Sequence, residues 1–343
     1  MPLADPLLAH KRPRLGLYAP FIALVVFASG WSLAWLWVRG EAERRMDAAA
    51  ASVSSAGDQL SWRARRFFGF PFRLDVDLAD ARFAAASGWA ISAPILKGEA
   101  FVFAPGHWVV SAPAGVVVTR PRGGSVIVAS KVLRASVSEI TAHPPRISIE
   151  GIGLTITPAP GASPSFLTSA GELHLHTRAG PGDQGAIFVE VDQAQARLSG
   201  LLGRIAGGKP VGFTGEGFFT HASALEGKNW PAAVRAWSGA GGVLNVRRIL
   251  ASAGQVQAQT RSGVLSVGDD GRLRGSLTAT LRQAPRALAA MGQSGAISPE
   301  AAGAAASVLG ARSRGDIATV TIDFQAGETT FGPAAIGPAP KVY

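Results

Sequence analysis

The feature that most constrains this chain is the run from Leu15 to Val38, which carries no charged side chain. As a helix rising about 1.5 Å per residue it reaches ~36 Å, enough to cross the ~30 Å hydrocarbon core of a bilayer with some tilt. Lys11, Arg12 and Arg14 precede it, and Arg39, Glu41, Glu43, Arg44 and Arg45 follow it. Tyr18 stands near one end and Trp31, Trp35 and Trp37 near the other, as interfacial aromatic belts do. A core helix of a soluble domain would show a polar side over this length. A cleaved signal peptide has an apolar region of about 7–15 residues followed by small residues. Here Trp35-Leu-Trp-Val-Arg39 occupies that place. The run predicts a single-pass anchor over 15–38 behind a tail of residues 1–14, with residues 39–60, rich in Ala and Ser, as a helical stalk.

Lys and Arg number three on each flank, so charge bias alone does not orient the anchor. Large C-terminal domains translocate behind such anchors whatever their charge. This places residues 1–14 in the cytoplasm and residues 61–343 outside it.

From residue 60 onward the hydrophobic period is two, the period of a strand. Phe72, Leu74, Val76 and Leu78 alternate with Arg73, Asp75 and Asp77. Leu173 and Leu175 alternate with Glu172, His174 and His176, and Val320, Ile322 and Phe324 with Thr319, Thr321 and Asp323. In Ile147 to Ile156 the apolar positions are odd before Gly151 and even after it, which predicts a bulge at Glu150–Gly151. Asp269-Asp270-Gly271, between Val264–Val267 and Leu273–Leu281, is a hairpin signal, since Gly supplies the positive φ. Gly 42 and Pro 22 in 343 residues suit many strands joined by tight turns.

Helix signals are few. Ser298-Pro299-Glu300 is a good start, running to Leu309 and a stop at Gly310. A second candidate begins near Pro231 and ends before Gly239–Gly242, and a third runs from about Pro285 to Met291. The expected fold is mainly β: an anchor helix, then a large antiparallel domain, curled or sandwich-like, with about three short helices. Pro158–Pro164 marks a possible sub-boundary near 158–164, though both blocks could belong to one extended sheet.

So few helices cannot cover so many one-sided strands, and sheet must shelter sheet. A filled sandwich core is one solution. A curled, unclosed sheet with an apolar groove is the other, and it would suit an acyl chain because each CH₂ removed from water contributes about 0.8 kcal/mol.

Two segments carry a resemblance. Phe68-Gly69-Phe70-Pro71-Phe72-Arg73 follows the stalk, and Gly327-Glu-Thr-Thr-Phe-Gly332-Pro333-Ala-Ala-Ile-Gly337-Pro338 lies near the C-terminus. With the anchor and the Asp270-Gly271-Arg272-Leu273 hairpin, they resemble the uncharacterised bacterial domain-of-unknown-function family 2125. That resemblance implies a membrane-anchored protein of the bacterial envelope, in the inner membrane with its C-terminal domain in the periplasm. The strand patterning is also loosely similar to AsmA-like envelope proteins, thought to shepherd lipids along apolar β grooves.

No cysteine is present, which excludes disulfides, thiolate nucleophiles and zinc–thiolate sites. The net charge of +10 favours anionic surfaces. The basic residues are scattered singly or in pairs, without an aromatic platform, so lipid headgroups are the expected partner and nucleic acid is not. No Gly-x-Ser-x-Gly elbow, His-Glu-x-x-His helix or phosphate loop appears. Glu172, His174 and His176 share a strand face but lie about 7 Å apart along it, too far for one metal to reach all three. The expected role is therefore non-enzymatic, with no cofactor and no metal: a lipid-binding or lipid-guiding envelope protein. The alternative is a structural module that binds other envelope proteins. Phe70 and Phe72 are the candidate contacts for lipid or partner, with Arg73 as a contact for lipid phosphate.

Overall fold

The computed structural model describes residues 15–198, 200–283, 289–290, 292–293, 317–331 and 334–343. One long helix, α1 (Leu15–Ser55), opens the chain. Its N-terminal part is apolar and exposed, long enough to cross a membrane by length and composition. The expected tail, residues 1–14, lies outside the described residues.

Every described strand belongs to one antiparallel sheet. The first strands are β1 (Gln59–Ser61), β2 (Ala64–Phe68), β3 (Arg73–Ala84) and β4 (Ala90–Phe101). Next come β5 (Ala104–Ser111), β6 (Val116–Arg120), β7 (Gly124–Ala129), β8 (Val132–Ser138) and β9 (Arg146–Pro158). The middle is β10 (Leu167–Ala179), β11 (Gln184–Ala196), β12 (Val211–Thr220) and β13 (Leu244–Ala253). The last are β14 (Val256–Val267), β15 (Leu273–Arg282), β16 (Ile317–Gln325), β17 (Glu328–Phe331) and β18 (Ala334–Pro338).

The sheet is an up-and-down meander. β5 and β6 act as one interrupted strand beside β4, and β8 and β7 as another between them and β9. From β9 to β18 each strand pairs with the next in sequence. The hairpin at Asp269–Gly271 forms as its residues predict, with Gly271 at φ +74°. The sheet also runs unbroken past Pro158–Pro164. β9 and β10 pair on either side of that segment, and the Arg120 guanidinium donates to the carbonyls of Ser163 and Pro164.

A line of irregularities crosses the first half of the sheet. Asp80 has φ +50°, and register places it between the pairs Ala79–Ile95 and Ala81–Ala93. The line continues through the gap between β5 and β6, the gap between β7 and β8, then Gly153 (φ +61°) and Gln193 (φ +50°). Each break bends its strand, as bulges do. Ala81, Ala93, Ala112, Ala170 and Ala194 are buried along this crease. At Gly115 (φ +73°) an added Cβ would lie 2.3 Å from the Val128 carbonyl oxygen, so the chain can turn there only as glycine. The parity change predicted at Glu150–Gly151 is real, but its break sits elsewhere. Register to β8 and β10 is regular through Glu150 and Gly151, and the strand turns at Gly153 as it passes from β8 to β7.

Of the predicted helices, the one near Pro231 is α3 (Trp230–Gly239); Asn229 caps it by accepting from the Ala232 N–H. The predicted helix from Ser298 to Leu309 lies outside the described residues, as does most of the one from Pro285 to Met291. A short helix without a sequence signal, α2 (Gly200–Ala206), lies between β11 and β12.

Candidate functional site

Pairing register lines up one apolar row across eleven strands. It runs Val76, Gly98, Val110, Ala135, Ile149, Leu175, Val189, Gly215, Ile249, Thr260 and Ala279. A second row on the same face holds Leu74, Ala100, Trp108, Val137, Ile147, Thr177 and Ile187. At ~4.8 Å between strands the apolar face extends roughly 50 Å along the sheet. The opposite face is its inverse. One row there reads Asp77, Lys97, Ser111, Arg134, Glu150, His174, Glu190 and Thr214. Period-two alternation, kept in register from strand to strand, produces this division.

What covers the apolar face changes along it. Over β2 to β5 the cover is the second half of α1. Trp35 is buried with Phe67, Leu74, Val76 and Leu78, and Val38, Ala42 and Met46 pack beside them. The segment expected as a helical stalk is helical as far as Ser55, and its Ala42 and Met46 pack against the sheet. The Trp31 indole donates to the Pro71 carbonyl at 2.8 Å and the Trp35 indole to the Arg73 carbonyl at 2.9 Å. Arg65 meets Asp47 at 2.8 Å. Where this cover ends there is an apolar recess of about 200 Å³, lined by Met46, Val76, Leu78, Leu96, Gly98, Trp108 and Val110. Beyond it, on β8 to β12, Leu133, Ile149, Leu173, Leu175, Val189 and Val191 are half-buried, and Phe213 is exposed. Over β13 to β15 Val246, Leu265, Leu277, Ala279 and Leu281 are buried again.

Among the described residues the buried side chains fall into small clusters, and half-buried Leu96, Val128 and Leu273 each pack against two of them. Leu74 and Val234 are the large side chains among them that are almost wholly enclosed. The arrangement is that of one sheet with a partly covered apolar face.

The candidate contacts Phe70, Phe72 and Arg73 lie at the β2–β3 hairpin. Phe70 packs edge-on against Trp35 at 5.6 Å between centroids, and Phe72 tilts against Trp31 at 6.2 Å. Both rings keep more than half their surface open. The Arg73 guanidinium meets Asp75 at 3.2 Å and Glu99 at 2.5 Å, so two carboxylates already balance its charge. The neighbouring hairpin adds two rings that sequence reading missed. Phe101 and Phe103 stack at 5.0 Å, both exposed, and the Val102 N–H donates to the Phe72 carbonyl. Phe-x-Phe around a tight turn was the available signal.

On the polar face, Ser148, His176, Phe188 and Glu216 follow one another in register at the edge of an open hollow of about 900 Å³. Arg146, Arg178 and Arg247 also line it. His174 is 3.4 Å from Glu172 and stacks on His176, and among the described residues no three His, Asp or Glu converge as metal ligands.

A long apolar helix, half of it docked on a one-sided antiparallel sheet, defines a β-rich protein with a candidate membrane anchor. The chain belongs to the family described as an uncharacterized protein conserved in bacteria (DUF2125), whose model matches residues 35–340. No curated protein and no solved structure matches the chain, and the AsmA-like resemblance finds no support there.

Proposed function

We propose that this protein is a non-enzymatic lipid-binding protein of the bacterial envelope. In this reading α1 anchors it in the inner membrane, and the sheet lies on the periplasmic side with lipid chains against its apolar face. The observation that carries the reading is the half-buried apolar strip on β8 to β12, continuous with the recess beside Met46 and Trp108. An acyl chain leaving a bilayer for such a strip exchanges one hydrocarbon environment for another. The strip needs only to spare the chain its passage through water, which costs about 0.8 kcal/mol per CH₂.

The test is native mass spectrometry of the full chain, purified in several detergents, set against a Leu175→Glu variant. Co-purifying phospholipid in the parent, lost in the variant while the circular dichroism spectrum stays unchanged, supports the reading. A parent free of lipid in every detergent overturns it. Topology is tested separately by reporters fused after Tyr343; a reporter active in the cytosol rejects the periplasmic placement.

A further inference from the structure

We infer that the two aromatic hairpins at the start of the sheet, residues 69–72 and 102–103, are set into the outer leaflet of the membrane that α1 crosses. This rests on reading α1 as a span and is independent of whether the sheet holds lipid.

The argument begins with length. From Leu15 to Gly30 the helix rises only ~24 Å, short of the ~30 Å hydrocarbon core. The next turns must lie in hydrocarbon too, and those are the turns on which the domain docks. Trp31 and Trp35 bond to the carbonyls of Pro71 and Arg73, so the β2–β3 hairpin is fixed at that level of the helix. The β4–β5 hairpin is tied to it through Val102 and Phe72.

Much of the surface at that level is apolar. On the side of the helix turned away from the sheet, Leu33 is 68% exposed and Trp37 66%. On the domain, Phe72 is 60% exposed and Phe103 71%. A collar of this kind standing in water would be costly. Aromatic side chains set about 5–10 Å into the headgroup and acyl boundary are the usual solution. Charge borders it: Arg39 pairs with Glu43 on the helix, and Arg73 with Asp75 and Glu99 on the sheet. The collar and its polar border therefore match a leaflet in depth and in chemistry. The apolar recess beside Met46 lies on the same docked face of α1, beyond Trp35.

The chain has no cysteine, so single labels are clean. Phe103→Cys and Ile127→Cys are each labelled with an environment-sensitive fluorophore in the full chain. Both sites are exposed and apolar, but Ile127 follows the hairpin at the other end of the strands. The proteins are reconstituted into vesicles of phosphatidylethanolamine and phosphatidylglycerol carrying a spin-labelled acyl chain. Quenching several-fold stronger at position 103 than at 127, with iodide in the outer buffer reaching 127 and not 103, is the expected result. Equal quenching at the two sites, or iodide access at 103 equal to that at 127, overturns the inference; the second is also what a protein partner absent from the vesicles would give. Neither outcome depends on lipid co-purifying with the protein.

Discussion

The apolar face under α1 and the apolar face of β8 to β12 are written in the same pattern and end in different states. Leu74 on β3 and Leu175 on β10 each sit between polar neighbours, and each points to the apolar side. Leu74 is 2% exposed beneath Trp35 and its neighbours, whereas Leu175 is half-buried. Alternation decides which face of a strand is apolar. It does not decide what lies over that face, because the cover comes from a helix far away in sequence. One surface therefore ends in two states: at the first end α1 packs over it, and in the middle it stays half-buried.

The largest expected effect separates two tryptophans of α1. Trp35→Ala removes a buried ring and leaves the Arg73 carbonyl without its donor, and should cost about 3–5 kcal/mol. Trp37→Ala, whose ring faces away from the sheet, should change unfolding in detergent by no more than about 0.5 kcal/mol. Urea or thermal unfolding followed by far-ultraviolet dichroism reads both. Equal losses would mean that the helix is not docked as described. A smaller contrast is expected inside the sheet. Leu74→Ala should cost about 2–5 kcal/mol and Leu175→Ala about 1 kcal/mol or less, since a half-open site leaves little cavity behind. A loss at Leu175 as large as that at Leu74 would mean that the middle strip is sealed in solution, and the comparison would fail.

Much of this was legible. The long apolar helix, the alternation at 72–78 and at 172–176, the turn at Asp269–Gly271 and the helix near Pro231 are local signals, and they formed where local chemistry puts them. The crease was legible only as a symptom. The parity change in β9 announced a break, but Gly151 and Gly153 are both permissive, and only the change of partner from β8 to β7 selects Gly153. The docking of Trp31 and Trp35 was not legible, because each indole meets a carbonyl about forty residues away. Phe101 and Phe103 escaped for a related reason. A Phe-x-Phe turn acquires its meaning from the hairpin beside it, and that neighbour is set by the sheet.

The smallest expected effect tests the polar side chains beside the docked region. Burial pushes the Asp75 carboxyl above the ordinary aspartate range, and Arg73 pulls it back only in part. The folded state therefore holds this proton more tightly than the unfolded chain does. For such a group, stability is greatest below the unfolded value, near 3.8, and falls as pH rises through the folded value. Asp75→Asn removes that dependence. The difference in melting temperature, variant minus parent, should therefore grow more favourable to the variant between about pH 4 and pH 7, whatever its offset from the lost Arg73 contact. Asp183 supplies the opposite sign. Its carboxylate accepts from the Ser223 N–H and hydroxyl, which hold its pKa below the usual range. Its stabilisation is present above the unfolded value and fades as pH falls through the folded one, so Asp183→Asn should lose ground to the parent as pH rises through the acid range. If the two differences run in parallel with pH, Asp75 is not desolvated, and the foot of the docked region is wetter than its packing implies.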